Sequence, residues 1–480
     1  MILALFALLV SAATGWAALA CIWPRAQNHS LELVLRSAVA GGIGLFMSSV
    51  IYFACLAMDI AERPWVISLD LAALTGLALL ARRCHRSAEL LRIEDQDLDD
   101  ATRGRTIDWV LGFGLLTALM INAKAWLARY GDEPLGFWDA FAIWNLKARF
   151  FFLESGEHWR RAFSDTISWS HTDYPLLLPL NVARLWTYGA SADHRIPAIL
   201  SVCFVLLIVA LLYGAVRATR GRTMAYFAVF ALLATHSFMR QVAWQLADIP
   251  LGYFLATSLA LVIASHRQNN ASSRLLVVAG LSAGAAAWTK NEGLLFALAI
   301  PLALFLTDAG PGIAQRLQRA LQYAMGLTLP LTLLLVMKLC VGGESDLASD
   351  FSIGSLQRIF DLARHREIVV SFAQTLLRLT HLPLLLLIAG LCSWWALKRR
   401  NRGAVSIATV MLALSFQLSG YYFIYLITER DLAWHLDTSN LRLFVQLWPS
   451  VLLVLFVGLP SFANEVESTK PTQRLFNRVG

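Results

Sequence analysis

Mostly apolar runs of about 20 residues, separated by short polar connections, recur along almost the whole chain. Each run is long enough to cross a hydrocarbon core of roughly 30 Å as an α-helix. We therefore predict an all-α polytopic membrane protein with about thirteen transmembrane helices and no large soluble domain. The predicted spans are approximately residues 1–23, 34–58, 64–82, 107–127, 195–216, 223–240, 248–265, 274–290, 293–307, 321–340, 371–397, 404–427 and 441–462.

Composition supports a membrane protein and changes how the charge is interpreted. The 480 residues are 58% hydrophobic and 15% charged, with a mean hydropathy of +0.59, whereas soluble domains are roughly 45–50% apolar. The net charge of +8 could suggest a nucleic-acid partner. However, the lysines and arginines lie mostly in the short connections, where they orient membrane helices. We expect the lipid bilayer as a partner and no nucleic acid.

The basic connections predict an orientation, because lysine and arginine near helix ends favour the cytoplasmic side. With thirteen spans, the main basic connections can all be cytoplasmic at once. They contain Arg82, Arg83, Arg86, Arg103 and Arg105, then Arg217, Arg220 and Arg222, then Arg267 and Arg274, then Arg316 and Arg319, then Lys398 to Arg402. The N-terminus and the loop 128–194 would then lie outside an inner (plasma) membrane, with the C-terminal tail in the cytoplasm.

The N-terminus and the cysteines give little indication of lipid attachment, disulfide bonds or metal binding. Residues 1–23 end in a short motif at Cys21 that resembles a lipoprotein cleavage site, but no basic region precedes it, so we predict a first transmembrane helix. The six cysteines have no CxxC or metal-ligand spacing and are predicted to be free thiols. They are Cys21, Cys55, Cys84, Cys203, Cys340 and Cys392.

Three regions are predicted along the chain. An acidic run, Glu94–Asp100, separates the first three spans from the rest and is expected to be a solvated loop. Residues 1–106 would form an accessory N-terminal bundle, residues 107–340 a catalytic module containing the outer loop, and residues 341–480 the C-terminal helices and tail.

The outer loop carries an apolar stripe that predicts a helix. Apolar residues recur at spacings of four and three, with Asp139 on the opposite side. The stripe consists of Phe137, Phe141, Trp144, Ala148 and Phe151. Trp138 and Trp144 are typical of a membrane interface, so we predict an interfacial helix that holds Asp139 near a lipid head group.

A second interfacial helix is predicted at residues 174–188. This stretch is too short to span comfortably and is interrupted by two prolines and Arg184. A polar turn containing Asp165, His171 and Asp173 would join the two helices.

Several motifs in this order resemble the GT-C glycosyltransferases, polytopic enzymes that take sugars from polyprenyl-phosphate carriers. This class includes the protein O-mannosyltransferases and the lipid A aminoarabinose transferases. The resemblance covers approximately residues 107–460 and rests on an acidic outer loop followed by an interfacial helix, together with motifs at helix ends. Those motifs are Tyr174-Pro175, Arg195-Ile196-Pro197, Ala247-Asp248-Ile249-Pro250, Thr289-Lys290-Asn291-Glu292-Gly293 and Thr438-Ser439-Asn440-Leu441-Arg442.

The resemblance implies a carboxylate base in the outer loop. Sugar transfer from a lipid phosphate needs a group that takes the proton of the acceptor hydroxyl. Asp139 is the first candidate, although an aspartate at a helix start is also favoured by the helix dipole alone. The family often has an Asp-Glu pair ahead of its interfacial helix, so Asp132 and Glu133 compete with Asp139 for this role.

Substrate-binding roles fall on charged residues at the outer helix ends. Asp248 matches the family's second acidic residue, but it could simply cap a helix. Lys290 and Glu292 could line a cavity or merely pair with each other. Arg195, Arg240 and Arg442 lie outside against the usual preference, so we expect at least one of them to bind the carrier phosphate.

A metal or other cofactor is not expected. His171 and Asp173 could contribute to a metal site or to substrate binding, but metal sites usually need three or four ligands.

The sequence therefore predicts a membrane glycosyltransferase that moves a sugar from a polyprenyl-phosphate donor to a glycan, lipid or protein acceptor, with inversion. A transporter or flippase is the alternative, although no internal repeat is present. A polysaccharide polymerase or ligase, or an inactive scaffold, also fits the sequence.

Overall fold

The structure, a computed structural model of the full chain, describes residues 1–23, 29–88, 105–153, 156–267, 272–307, 312–341, 357–379 and 402–459. These residues form α-helices and short 3₁₀ or π-helical turns, without a β-strand among them. Nine of the described helices are long and apolar enough to cross a membrane. The all-α polytopic architecture is thus confirmed.

The helices are numbered here in chain order. They are α1 (Ile2–Ile22), α2 (His29–Ala57), α3 (Arg63–Ala88), α4 (Arg105–Asp132), α5 (Asn145–Leu153), α6 (Leu177–Gly189), α7 (Arg195–Arg220), α8 (Arg222–Leu233), α9 (His236–Ala243), α10 (Asp248–Arg267), α11 (Ser272–Thr289), α12 (Glu292–Thr307), α13 (Ile313–Cys340), α14 (Leu362–Leu379), α15 (Arg402–Ile427) and α16 (Leu432–Gly458). Most of them coincide with a predicted span to within a few residues.

The central bundle consists of α10 and α11, which pack against each other and against α7, α12, α13, α15 and α16. Helices α1, α2 and α3 pack together and contact α6, while α2 also packs along α7. The N-terminal helices therefore share one continuous core with the rest. The division into three regions stays a prediction, and the acidic run 94–100, Cys392, residues 398–401 and the C-terminal tail lie outside the described residues.

The span predicted at 223–240 is instead two helices, α8 and α9, broken at Thr235. The backbone of Thr235 is extended, with φ −78° and ψ 91°. Its hydroxyl donates to Ala231 O at 2.7 Å and accepts from Trp448 Nε1 at 2.9 Å. Hydroxyl side chains compete with helical hydrogen bonds in this way, and α9 begins as a separate helix at His236. Of the span predicted at 371–397, the structure describes only the part within α14.

The first outer-loop helix has a different register from the one expected. A π-helical turn, Ala140–Trp144, precedes α5, and such turns shift the helical register. The predicted apolar stripe is consequently split. Phe137 and Phe141 are 43% and 46% exposed, whereas Trp144, Ala148 and Phe151 are buried.

The second outer-loop helix, α6, is surrounded by other helices. Every residue from Leu177 to Tyr188 is buried, and α6 packs against α1, α2, α3 and α5. A short helix is therefore confirmed in this segment, but α6 is enclosed by protein and does not lie on a membrane interface as predicted. Arg184, which seemed to interrupt an apolar stretch, is buried because Asp70 of α3 neutralises it at 2.8 Å.

Candidate active site

The centre of the candidate site is Asp248, the first residue of α10, which is fully buried. Its Oδ1 accepts from Lys290 Nζ at 3.0 Å and also from Gln446 Nε2. Its Oδ2 accepts from Arg442 Nε at 3.0 Å. Both carboxylate oxygens are therefore occupied, and three chain segments meet on one side chain.

Lys290 lies in the tight turn between α11 and α12 and joins Asp248 to Glu292, whose Oε1 is 2.7 Å from Lys290 Nζ. Burial opposes the charge of Lys290, but Asp248 and Glu292 outweigh it and raise its pKa above the usual value. Lys290 consequently stays protonated at neutral pH. Gly293 makes the turn possible, since a Cβ there would lie 2.2 Å from the carbonyl oxygen of Ala286.

Arg442, inside α16, connects this buried centre to the outer loop. Its Nη2 lies 2.6 Å from Asp139 Oδ2, while its Nε stays on Asp248. The side chains of Asp139 and Arg442 are 15% and 16% exposed, in contrast to the inaccessible Asp248. Solvent therefore reaches the cluster at Asp139 and Arg442 but not at Asp248.

We call these five residues the site network: Asp139, Asp248, Lys290, Glu292 and Arg442. Three carboxylates face two cations, so the network carries one net negative charge when all five are ionised. Charges in apolar surroundings are costly unless they are paired, and the network pairs every member. All five residues were candidates from the sequence, and the structure brings them together.

A second polar cluster adjoins the network at Asn291, between Lys290 and Glu292. Asn291 Nδ2 donates to Asp173 Oδ2 at 2.8 Å, and Lys338 Nζ lies 3.4 Å from the same oxygen. Lys338 also donates to the backbone carbonyl of Asp173. The predicted residue Asp173 therefore lies beside the site network and joins the outer loop to α13.

The loop residues on either side of Asp173 are held by aromatic and carbonyl contacts. The ring of His171 stacks on Tyr174 with centroids 4.8 Å apart, and Tyr174 stacks on Trp144 at 5.5 Å. The fully buried Lys147 donates to His171 O at 2.6 Å. Burial raises the pKa of Tyr174, so its hydroxyl stays neutral.

The described part of the chain shows no arrangement of side chains that supports metal binding. No group of three or more His, Cys, Asp or Glu side chains there is arranged to hold a metal ion. His171 contributes its ring to stacking on Tyr174 rather than to a ligand cluster. The absence of a cofactor stays a prediction.

Four other predicted residues do not contact the site network. Asp132 and Glu133 are exposed at and just beyond the end of α4. Arg195 pairs with Asp193, its Nη2 lying 2.6 Å from Asp193 Oδ2. Arg240 stacks on Trp244, with its guanidinium carbon 4.9 Å from the ring centroid, and its buried Nε has no hydrogen-bond partner among the described residues.

Asp139 is held close to Asp248 by a contact between two turns. Phe137 N donates to Trp244 O at 3.1 Å, and the two rings stack at 4.9 Å. Gly136 has φ +77°, and a Cβ there would lie 2.8 Å from the same carbonyl oxygen. Only glycine fits such a position easily. The segments before Asp139 and before Asp248 therefore brace each other.

Sequence reasoning missed several residues that build the site. Gln446 is fully buried, and besides contacting Asp248 it accepts from Tyr421 Oη at 2.8 Å. Lys147 and Lys338 hold the loop around Asp173. The sequence feature that could have revealed Gln446 is a polar side chain inside an otherwise apolar helix, since such side chains usually face the interior of a bundle.

The fold and the site define a polytopic membrane protein whose charged side chains converge at one end of the bundle. Comparison with known families then gives the particular relationship: residues 188–337 match the model of the dolichyl-phosphate-mannose-protein mannosyltransferase family. The resemblance to GT-C glycosyltransferases inferred from the motifs is thereby confirmed, and the match supports a membrane glycosyltransferase. No curated protein and no solved structure gives a significant match.

The matched segment runs from the end of α6 to the end of α13. It includes Asp248, Lys290 and Glu292, while Asp139 and Arg442 lie outside it. The ion pairs of Arg442 therefore connect the matched segment to two parts of the chain that the family model does not cover.

Proposed function

We propose that the protein transfers a sugar from a polyprenyl-phosphate donor to an acceptor hydroxyl on the periplasmic or outer face of the membrane. The observation that carries this proposal is the continuous ion network from Asp139 to Glu292, which ends in a partly exposed aspartate. Such a network supplies both a base and cations within one site, as the reaction requires.

In this mechanism Asp139 takes the proton of the acceptor hydroxyl. The acceptor oxygen forms a bond to the anomeric carbon as the bond from that carbon to the phosphate oxygen breaks. Attack from the face opposite the phosphate inverts the configuration at that carbon. The polyprenyl phosphate leaves with the bonding electron pair, and its negative charge is stabilised by Arg442 and Lys290.

Asp248 and Glu292 have a different role in this proposal. They fix Arg442 and Lys290 in place and keep Lys290 protonated. A buried lysine without a partner would lose its proton, whereas an arginine stays charged and would have to move. Arg240 is the further candidate for the carrier phosphate, since its guanidinium stacks on Trp244 and has no ion-pair partner within the described residues. Arg195 would have to leave Asp193 before it could bind an anion.

The decisive experiment compares envelope glycolipids and glycans by mass spectrometry in cells that lack the protein. Cells are complemented with the wild type, with Asp139→Asn, or with Asp165→Asn as a matched change of an exposed carboxylate in the same loop. We expect a sugar mass to be lost on deletion and restored by the wild type and Asp165→Asn. Asp139→Asn should lower transfer by about 10²- to 10⁴-fold, as expected for loss of a general base.

An unchanged glycan profile in the deletion strain, under conditions where the gene is expressed, would contradict the proposal. A transporter or flippase would then explain the intramembrane charges better. Restoration by Asp139→Asn would instead retain the transferase and remove the assignment of the base, leaving Asp132 and Glu133 as candidates.

A further inference from the structure

The ion pair between Asp139 and Arg442 occupies the edge of the guanidinium that the proposed donor phosphate needs. We propose, on the basis of the proposed function, that Asp139 occupies the position on Arg442 that the donor phosphate takes. The donor binds first and displaces Asp139 from Arg442, and the displaced Asp139 then acts as the base.

The first argument concerns which partner of Arg442 can be exchanged. Asp248 is fully buried, and its two oxygens accept from Arg442, Lys290 and Gln446. Asp139 is partly exposed and shares a single contact with Arg442, at 2.6 Å. An incoming anion can therefore replace Asp139 but cannot replace Asp248.

The second argument concerns the shape of the guanidinium. Arginine has five N–H groups in a planar fork and can bind two anions along different edges. Its Nε is held by Asp248, while its Nη2 meets the partly exposed Asp139. A phosphate diester oxygen has the same donor requirement as the Asp139 carboxylate that it replaces.

The third argument concerns charge. The network by itself has one carboxylate more than it has cations. A phosphate diester added without displacement would place four anions around two cations, which is unfavourable in a site of low dielectric. When the phosphate replaces Asp139, the charge in contact with Arg442 stays constant. Asp139 is then free to contact the acceptor hydroxyl.

The arrangement has a consequence for catalysis. Without the donor, the carboxylate of Asp139 contacts Arg442 and is not placed to accept a hydrogen bond from an acceptor hydroxyl. With the donor bound, the carboxylate is free. The order of binding is therefore donor before acceptor, because the acceptor hydroxyl meets a competent base only after the exchange.

The test measures binding of farnesyl phosphate, a short polyprenyl phosphate, to the purified full chain in detergent by isothermal titration calorimetry. Asp139→Asn should tighten binding about two- to fivefold, the range expected for loss of a competing, partly exposed ion pair. Asp165→Asn removes one negative charge from the same loop without touching Arg442 and should leave the affinity nearly unchanged.

The gain from Asp139→Asn must also depend on Arg442. In an Arg442→Gln background, Asp139→Asn should give no further gain. Because Arg442→Gln leaves Asp248 with one partner fewer and could destabilise the fold, Arg442→Lys is the second background: lysine keeps the charge but cannot reach both carboxylates.

The possible outcomes separate the two proposals. Absence of farnesyl phosphate binding by the folded wild type contradicts the proposed function itself. Binding that Asp139→Asn does not tighten overturns the exchange alone, as does an equal gain from Asp165→Asn or a gain that persists in both Arg442 backgrounds.

Discussion

Two ionic clusters in the helical bundle are built in contrasting ways. The first, which we call the α6 anchor, consists of Arg184 with Asp70, Ser11 and Tyr188. Arg184 donates to Asp70 Oδ2 at 2.8 Å, to Ser11 Oγ at 3.1 Å and to the backbone, while Tyr188 donates to Asp70 at 2.8 Å. The anchor is balanced in charge and closed to solvent.

The site network differs in both respects. It has one carboxylate in excess, and Asp139, Glu292 and Arg442 are each about 15% exposed. A closed, balanced pair gives a ligand nothing to bind, whereas an open, unbalanced network keeps a charged group available for exchange. The contrast separates a cluster that holds the fold together from one that can take part in chemistry.

Breaking the α6 anchor should have the largest effect on stability. Arg184→Met leaves Asp70 charged, buried and unpaired, which costs about 3–5 kcal/mol of the free energy of unfolding. The variant should lose its monodisperse peak in size-exclusion chromatography at a lower temperature than the wild type.

The control for this prediction is the double variant Asp70→Asn, Arg184→Gln, which removes both charges and keeps hydrogen-bonding groups. It should recover most of the lost stability, since neutralising both members of a buried pair is often tolerated. If Arg184→Met alone melts like the wild type, the anchor does not stabilise the fold.

Loss of a buried polar group beside the site network should lower the rate of catalysis more than it lowers stability. Gln446→Leu removes a donor to Asp248 and an acceptor for Tyr421, so that Arg442 and Lys290 are less firmly placed. We expect kcat to fall about tenfold, equivalent to about 1.4 kcal/mol and within the usual cost of one lost hydrogen bond to a charged group. The KM for the donor should change less.

Asn181→Leu is the matched control, because Asn181 is equally buried and its amide donates to backbone carbonyls of α2 and α6 rather than to the site network. It should lower stability and leave the kcat of the folded protein unchanged. Equal losses of kcat in both variants would mean that Gln446 acts only through stability.

The sequence predicts the helices better than it predicts these contacts. Apolar runs set most helix bounds, because only a long apolar helix satisfies its backbone in lipid. The break at Thr235 and the π-helical turn at Ala140–Trp144 depend on contacts with distant helices, so hydropathy did not reveal them. Arg184 was misjudged for the same reason, since its partner Asp70 is 114 residues away.

Within the candidate site, the members of the network could be predicted but their pairing could not. Charges at the ends of apolar helices stand out in a sequence, which identified four members, while Asp139 was identified from the outer-loop helix and the resemblance to the family. Which charge meets which depends on how the helices pack. The neutral Gln446 carried no such signal, and the sequence offered no means of separating Arg442 from Arg195 and Arg240.

Two arginines outside the network allow a cation without an ion-pair partner to be compared with one that is already paired. Arg240 lacks an ion-pair partner within the described residues, so Arg240→Gln should raise the KM for the donor about tenfold, as expected for one lost charge-assisted contact. Arg195→Gln is the matched change at a cation that is already engaged by Asp193. A larger effect from Arg195→Gln would show that the pair with Asp193 opens when the donor binds.

The smallest effect is expected at Asp193. Hydrogen bonding by Arg195 outweighs partial burial and lowers the pKa of Asp193 to about 2, below the unfolded value of about 3.9. A depressed carboxylate pKa contributes stability above the unfolded pKa and loses it as the pH falls through the folded pKa. Asp193→Asn should therefore reduce the melting temperature slightly at pH 7, and this reduction should shrink as the pH falls from about 4 through about 2. Because Arg195 is 58% exposed, solvent screens the pair strongly, and a large shift at pH 7 would mean that Asp193 has a further structural role.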